Sequence, residues 1–262
     1  MSLSNSVSSP AFELVRTPLE LRFRQVTLTA REWITDAYVR IRLESPELEG
    51  FSSLGSDDHL RMFFPSAPVS SVEELRAAPS REYTPLAWGD GWLELEFAVH
   101  GDAGVAAPWA ATAPIGATAG VGGPRGSLVL TGMPDAWFLA GDETAVPAIR
   151  RFARLMTADA TGRIVVEVTD AAHELPIEAP AGVAVEYVHR GTALEGAALI
   201  AHLAQVSAAD RPAGDVFGFI AAEQSIVKPG RALLLERWGL ATDRVIVKGY
   251  WKRGEAEYHA PH

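Results

Sequence analysis

The hydrophobic rhythm of this chain changes once, at Met133-Pro134-Asp135, and that change constrains the fold more than any other feature. Before it, apolar and polar residues alternate, as a strand with one buried and one solvated face requires. Val39, Ile41 and Leu43 alternate with Arg40, Arg42 and Glu44; Leu93, Leu95, Phe97 and Val99 alternate with Glu94, Glu96, Ala98 and His100. Leu21 to Thr29, Leu60 to Phe64 and Ser127 to Leu130 are further strand candidates, separated by turns such as Gly89-Asp90-Gly91. After the change, continuous apolar runs alternate with helix-length segments, the pattern of a parallel sheet covered on both faces. Strands are expected at Trp137–Ala140, Ile164–Val168, Val183–Val188, Val216–Ile220 and Val245–Val247. Helices are expected at Ala145–Met156, Leu194–Ala204 and Ala222–Trp238, the last closed by Gly239. The fold class is therefore β plus α/β. Residues 17–132 form an antiparallel β-barrel with one inserted helix near Trp109, and residues 133–256 a parallel-sheet α/β domain. Residues 1–16 are expected to be a disordered N-terminus and residues 257–262 a tail.

Two domains suit 262 residues of which 48% are apolar. Thirty-three acidic against 23 basic residues give a net charge of −10, which argues against a nucleic-acid partner. Any anionic ligand needs a local basic pocket. The absence of cysteine excludes disulfides, thiolate metal sites and cysteine-held iron–sulfur clusters, so electron transfer would run through a non-thiol cofactor. The first ten residues have neither a basic nor an apolar leader region, and a cytoplasmic protein is expected. The uncharged stretch from Ala103 to Pro124 is too rich in glycine and proline to fill a bilayer, so no membrane span is expected.

Four segments can carry chemistry. Gly141-Asp142-Glu143-Thr144 joins a buried strand to a helix with Pro147 in its first turn, and such turns in parallel sheets sit where ligands bind. On spacing alone it reads equally well as an ordinary turn capped by Thr144. Gly123-Pro124-Arg125-Gly126-Ser127 combines backbone N–H groups with one cation, a set suited to an anion and equally to a solvated Gly-Pro turn. Arg81-Glu82-Tyr83-Thr84 offers a cation, an aromatic face and a hydroxyl, all of which a flavin would use, although such a pair is more often plain strand surface. His100-Gly101 ends a strand where a phosphate or ribose could accept a hydrogen bond, although a surface histidine is the commoner reading of that position. The histidines show no metal-ligand spacing, and neither a Gly-x-Gly-x-x-Gly fingerprint nor a serine-hydrolase elbow is present.

Taken in order, these segments resemble the siderophore-interacting protein family, flavin-dependent ferric-siderophore reductases of the ferredoxin-NADP reductase superfamily. The resemblance runs from Asp58-His59-Leu60-Arg61-Met62-Phe63-Phe64-Pro65 through Arg81-Glu82-Tyr83-Thr84, Phe97-Ala98-Val99-His100-Gly101 and Trp109-Ala110 to Gly123-Pro124-Arg125-Gly126-Ser127. It continues through Gly141-Asp142-Glu143-Thr144, Ala222-Glu223 and Lys248-Gly249-Tyr250-Trp251-Lys252-Arg253-Gly254. It implies FAD on the barrel, with Arg81, Tyr83 and Thr84 on the isoalloxazine and phosphate portion and His100, Gly101 and Trp109 along the pyrophosphate and adenosine. Gly123, Gly126, Ser127 and Trp251 complete the cofactor set. NADPH or NADH is implied near Gly141, Asp142, Glu143, Thr144 and Glu223, with a ferredoxin as the other candidate donor. A basic triad, Arg61, Arg125 and Lys252, is implied to hold the ferric siderophore, and no residue acts as acid, base or nucleophile. The chain departs from the family pattern at Leu86, where a second arginine is usual, and at Ala107, where a small hydroxyl residue is usual. The implied activity is ferric-siderophore reduction by a monomer. A flavin reductase of the same superfamily and a non-catalytic siderophore binder are the alternatives.

Overall fold

The computed structural model describes residues 11–99, 104–255 and 258. Its first half is a seven-stranded antiparallel sheet built from β2 (Phe23–Thr35), β3 (Tyr38–Glu44), β4 (Leu60–Phe63), β5 (Ser80–Tyr83), β6 (Ala87–Gly89), β7 (Trp92–Ala98) and β8 (Thr118–Gly122). The strand order is β5-β4-β8-β2-β3-β7-β6. The alternation seen in the sequence places Val39, Ile41 and Leu43 of β3 and Leu93, Leu95 and Phe97 of β7 in one buried cluster. Tyr83 and Trp88, from the strands at the two ends of the ladder, pack on that same cluster, so the sheet wraps around a single core as a barrel. Short helices α1 (Val72–Arg76) and α2 (Ala106–Thr112) are inserted, and α2 lies at the expected Trp109.

One sequence expectation is corrected at the start of the chain. Residues 12–16 are not disordered: β1 (Phe12–Pro18) pairs antiparallel with β9 (Gly126–Gly132), from Phe12 opposite Gly132 to Pro18 opposite Gly126. Phe12, Leu14, Leu128 and Leu130 of this ribbon pack on the core of the α/β half. That burial, supplied by a partner strand more than a hundred residues away, is what orders a segment whose local sequence carries only a weak signal.

All five expected parallel strands are present as β10 (Ala136–Gly141), β11 (Thr161–Val168), β12 (Val183–His189), β13 (Val216–Glu223) and β14 (Val245–Trp251), in the order β12-β11-β10-β13-β14. Helices α3 (Val146–Ala153), α4 (Ala197–Gln205) and α5 (Val227–Arg231, continuing as a π turn through Ala232–Arg237) cover the two faces. The expected helix from Ala222 starts too early, because Ala222 and Glu223 are buried in β13 between β10 and β14. Gly239 follows the helical segment with φ +65°, the left-handed conformation expected of it. Strand order reverses between β10 and β13, so the carboxyl ends of those two strands flank the crevice where such sheets bind ligands.

Candidate functional site at the seam between barrel and parallel sheet

On the barrel side, β5 carries the predicted flavin residues. Tyr83 stacks at a 39° tilt on Phe97, 4.1 Å between ring centroids, and Phe64 stands edge-on to Tyr83 and to Trp109. These four rings make an aromatic wall, and burial raises the Tyr83 hydroxyl pKa. Thr84 is buried beside the wall. Arg81 donates to the Ser80 carbonyl at 2.7 Å. His100 and Gly101 lie outside the described residues.

Among the anion-binding candidates, Arg61 on β4 stands opposite Glu82 of β5 and Gly122 of β8 and pairs with Glu82 at 3.0 Å. The next turn carries Gly123, with φ +95°, and Arg125, which is exposed. Arg61 and Arg125 therefore occupy neighbouring positions on one end of the barrel. Gly126 opens β9 against Pro18, and the Ser127 hydroxyl is already committed, donating to Asp58 at 2.6 Å and accepting from the Leu54 amide at 3.2 Å.

On the sheet side, Gly141 is required by packing: a Cβ there would lie 2.5 Å from the Ala145 Cβ and 2.5 Å from the Ala221 carbonyl oxygen. The turn that follows is capped by Asp142 rather than by Thr144. One Asp142 oxygen accepts from the Thr144 amide at 3.0 Å and from its hydroxyl at 2.5 Å. The other accepts from the Glu223 amide and the Trp251 indole N–H, each at 2.9 Å. Burial pushes the Asp142 carboxyl up despite these donors. Asp142 thus fastens the ends of β10, β13 and β14 together and leaves no oxygen unused. Glu143 is buried against Arg190 at 2.6 Å; burial and the neighbouring Asp142 charge raise its pKa to about 7. The Glu223 carboxylate accepts from Ser225 at 2.7 Å and from the Arg253 amide at 3.3 Å; burial opposes these bonds, and its pKa is lowered.

β14 connects the halves. A register shift opposite Ala222/Glu223 leaves Tyr250 without a counterpart on β13, a bulge that redirects the strand's last side chains. Tyr250 and Lys248 both donate to the buried carboxylate of Asp57 on the barrel, and Trp251 turns to Asp142. Lys252, the last of the predicted triad, is exposed and pairs with Glu255. Lys252 follows β14 of the parallel-sheet half, whereas Arg61 lies on β4 and Arg125 just before β9 of the other half.

Several residues here have no counterpart in the sequence reading. Arg150 and Arg151 of α3 and Arg154, which caps its C-terminus, all reach the barrel: Arg150 to Glu96, Arg151 to the Ser53 carbonyl at 2.7 Å and the Pro85 carbonyl at 3.1 Å, Arg154 to the Leu86 carbonyl at 2.9 Å. Leu86, the departure from the family pattern, is buried at this seam. Asp57 is legible in the sequence only as a polar position before a strand and Glu96 only as the polar face of one, because their partners lie far away along the chain.

Residues 27–128 match the siderophore-interacting FAD-binding domain and residues 134–254 the siderophore-interacting protein domain. The NADPH-dependent ferric-chelate reductase of Escherichia coli is 34% identical over 88% of this chain and 94% of its own length. The chain belongs to the siderophore-interacting protein family. A second relative, the ferric vibriobactin reductase ViuB of Vibrio cholerae, is 26% identical over 90% of this chain and 92% of its own. The crystal structure of a siderophore utilization protein from T. fusca, at 32% identity, superposes with a TM-score of 0.82 over 94% of this chain and 99% of that one. The residues present fit FAD, the cofactor of the family's barrel domain. A cation, an aromatic wall that Trp109 of α2 joins, and a buried hydroxyl occur together on and around β5.

Proposed function

We propose that the protein reduces ferric siderophores, taking electrons from NADPH or NADH, passing them through FAD and releasing ferrous iron. The observation that carries this reading is the link made by β14. Its tip bears Lys252, and through Asp57 it is tied to the loop that leads into β4 and Arg61. A donor-side strand and the barrel's cations thus share one seam. The net reaction balances as one NADPH and two ferric ions giving NADP⁺, a proton and two ferrous ions.

FAD, when bound, accepts the electron pair as a hydride and releases single electrons, the conversion this reaction needs. Tyr83 and Thr84 hold its ring system, and Arg81 neutralises phosphate. The turn from Gly141 to Thr144, with Glu223, receives the nicotinamide nucleotide. Arg61, Arg125 and Lys252 hold an anionic iron chelate against the repulsion of a chain carrying −10. They need not replace any iron ligand, since ferrous iron is held more weakly and leaves. The NADPH named for the E. coli relative supports that donor and a cytoplasmic site of action.

The test is a spectral titration of the purified protein. FAD should give a yellow complex that NADPH bleaches without oxygen and a ferric siderophore restores, with ferrous iron trapped by a colorimetric chelator. Bleaching without ferrous iron would mean a diaphorase. Failure to take up FAD would mean a siderophore binder without catalysis.

A further inference from the structure

Asp57 is buried, with 2% of its side chain exposed, and it belongs to the barrel, yet both its carboxylate oxygens are spent on the other domain. One accepts from Lys248 and the other from Tyr250, two residues apart on β14. Burial, the Asp57 charge and the hydrogen bond to it all raise the Tyr250 hydroxyl pKa, so Tyr250 stays a neutral donor. β14 is an edge strand paired only with β13, and after its bulge at Tyr250 one ladder pair remains, Trp251 with Glu223. The tip is otherwise held by contacts to side chains: Trp251 on Asp142, Arg253 on Glu195 and through its amide on Glu223, and Lys248 and Tyr250 on Asp57. Of these, only Asp57 belongs to the barrel.

We propose that Asp57 is a positioning residue that sets where Lys252 stands relative to Arg61 and Arg125, and so sets affinity for the anionic iron chelate. The proposal rests on the reductase reading. Asp57 is buried with both oxygens committed to β14, so it acts through that strand rather than on a ligand.

The test uses gallium(III) tris-catecholate, an anionic complex the enzyme cannot reduce, and compares Asp57→Ala and Asp57→Asn with Arg154→Ala. The last removes a seam contact, to the Leu86 carbonyl, in which β14 takes no part. Asp57→Ala should weaken gallium-chelate binding about tenfold, as loss of one well-placed charged contact does. NADPH-driven reduction of an uncharged quinone should stay within about twofold. Asp57→Asn, which keeps an acceptor for Tyr250 but no charge for Lys248, should fall between. Amide exchange over residues 249–253 should accelerate in Asp57→Ala and not in Arg154→Ala, although both lower the melting temperature. Equal Kd values in wild type and Asp57→Ala, or equal losses in Asp57→Ala and Arg154→Ala, overturn the proposal and leave the reductase reading standing. If Asp57→Ala does not fold, Asp57→Asn decides alone, and a wild-type Kd overturns the proposal. Wild-type protein that neither binds the gallium chelate nor reduces its ferric counterpart sinks the reductase reading and this one with it.

Discussion

The arginines of α3 and the cations at the cleft rim carry the same charge and meet opposite fates. Arg150 and Arg151 are buried or nearly so, and each is matched by a carboxylate, hydroxyl or carbonyl of the barrel. Arg151 also lies over the Trp88 ring at 4.8 Å, and desolvation lowers its pKa to about 10. At the rim, Arg125 is exposed without an ion pair among the described residues, and Arg61 and Lys252 pair with exposed carboxylates. Burial of a guanidinium without partners is costly, so the seam had to match its cations during folding. An exposed cation costs little to leave available, so the rim can offer charge to a ligand. The acidic total of the chain describes neither region.

The comparison breaks first at Glu96. Its carboxylate is fully buried and takes Arg150, Arg40 at 2.8 Å and the Tyr38 hydroxyl at 3.1 Å. Glu96→Ala removes the only carboxylate partner of Arg150 among the described residues and leaves its charge to the Pro176 carbonyl, and a loss of about 3–5 kcal/mol is expected from a urea midpoint followed by tryptophan fluorescence. A loss below about 1 kcal/mol would mean that the seam does not depend on matched charge.

Glu143 sharpens the same point within the α/β half. Its pKa in the folded protein, about 7, lies above the ordinary 4.5 because burial and Asp142 outweigh Arg190. Between those values the folded state keeps a proton that the unfolded state has released, so its contribution to stability declines as pH rises from about 4.5 to 7. A tenfold difference in proton affinity between the two states corresponds to about 1.4 kcal/mol. Glu143→Gln should flatten the difference between denaturation midpoints at pH 5 and pH 8. An unaltered difference would mean that Arg190 holds the carboxylate ionised throughout.

The contrast also explains what can be read from the sequence. Strands are legible wherever a buried face imposes period two, as at Val39-Ile41-Leu43, or a continuous apolar run, as at Phe217 to Ile220. Thr144 reads as the cap because capping requires only a short polar side chain near the turn, and Asp142 supplies one two residues earlier. Ala222 and Glu223 favour helix locally, and pairing with β10 and β14 overrides that preference. The seam is illegible for a different reason. Glu96 and Arg150 each read as the solvated face of an element, and only folding brings together residues 54 positions apart. The rim cations are found through family motifs rather than through spacing.

At the rim the expected effects are on affinity. Arg125→Ala and Lys252→Ala should leave the urea midpoint nearly unchanged, because neither side chain supports the fold. Each should raise KM for ferric tris-catecholate about tenfold. The uncharged ferric tris-acetohydroxamate, reduced by the same variants, should change little. Equal effects on both chelates would mean that the cations act on something other than ligand charge.

The smallest effect separates an available cation from a neutralised one. Lys252 and Glu255 form an exposed pair within a turn held by Gly254 at φ +80°, and Glu255 raises the lysine's pKa. A carboxylate at that distance repels an incoming anion while it steadies the lysine, and for exposed groups the two influences are both weak. If repulsion dominates, Glu255→Gln lowers KM for ferric tris-catecholate about twofold, and the gain shrinks in high salt as screening removes the repulsion. A rise in KM would assign Glu255 the role of holding Lys252 in place, and would move this residue from the rim's logic to that of the seam.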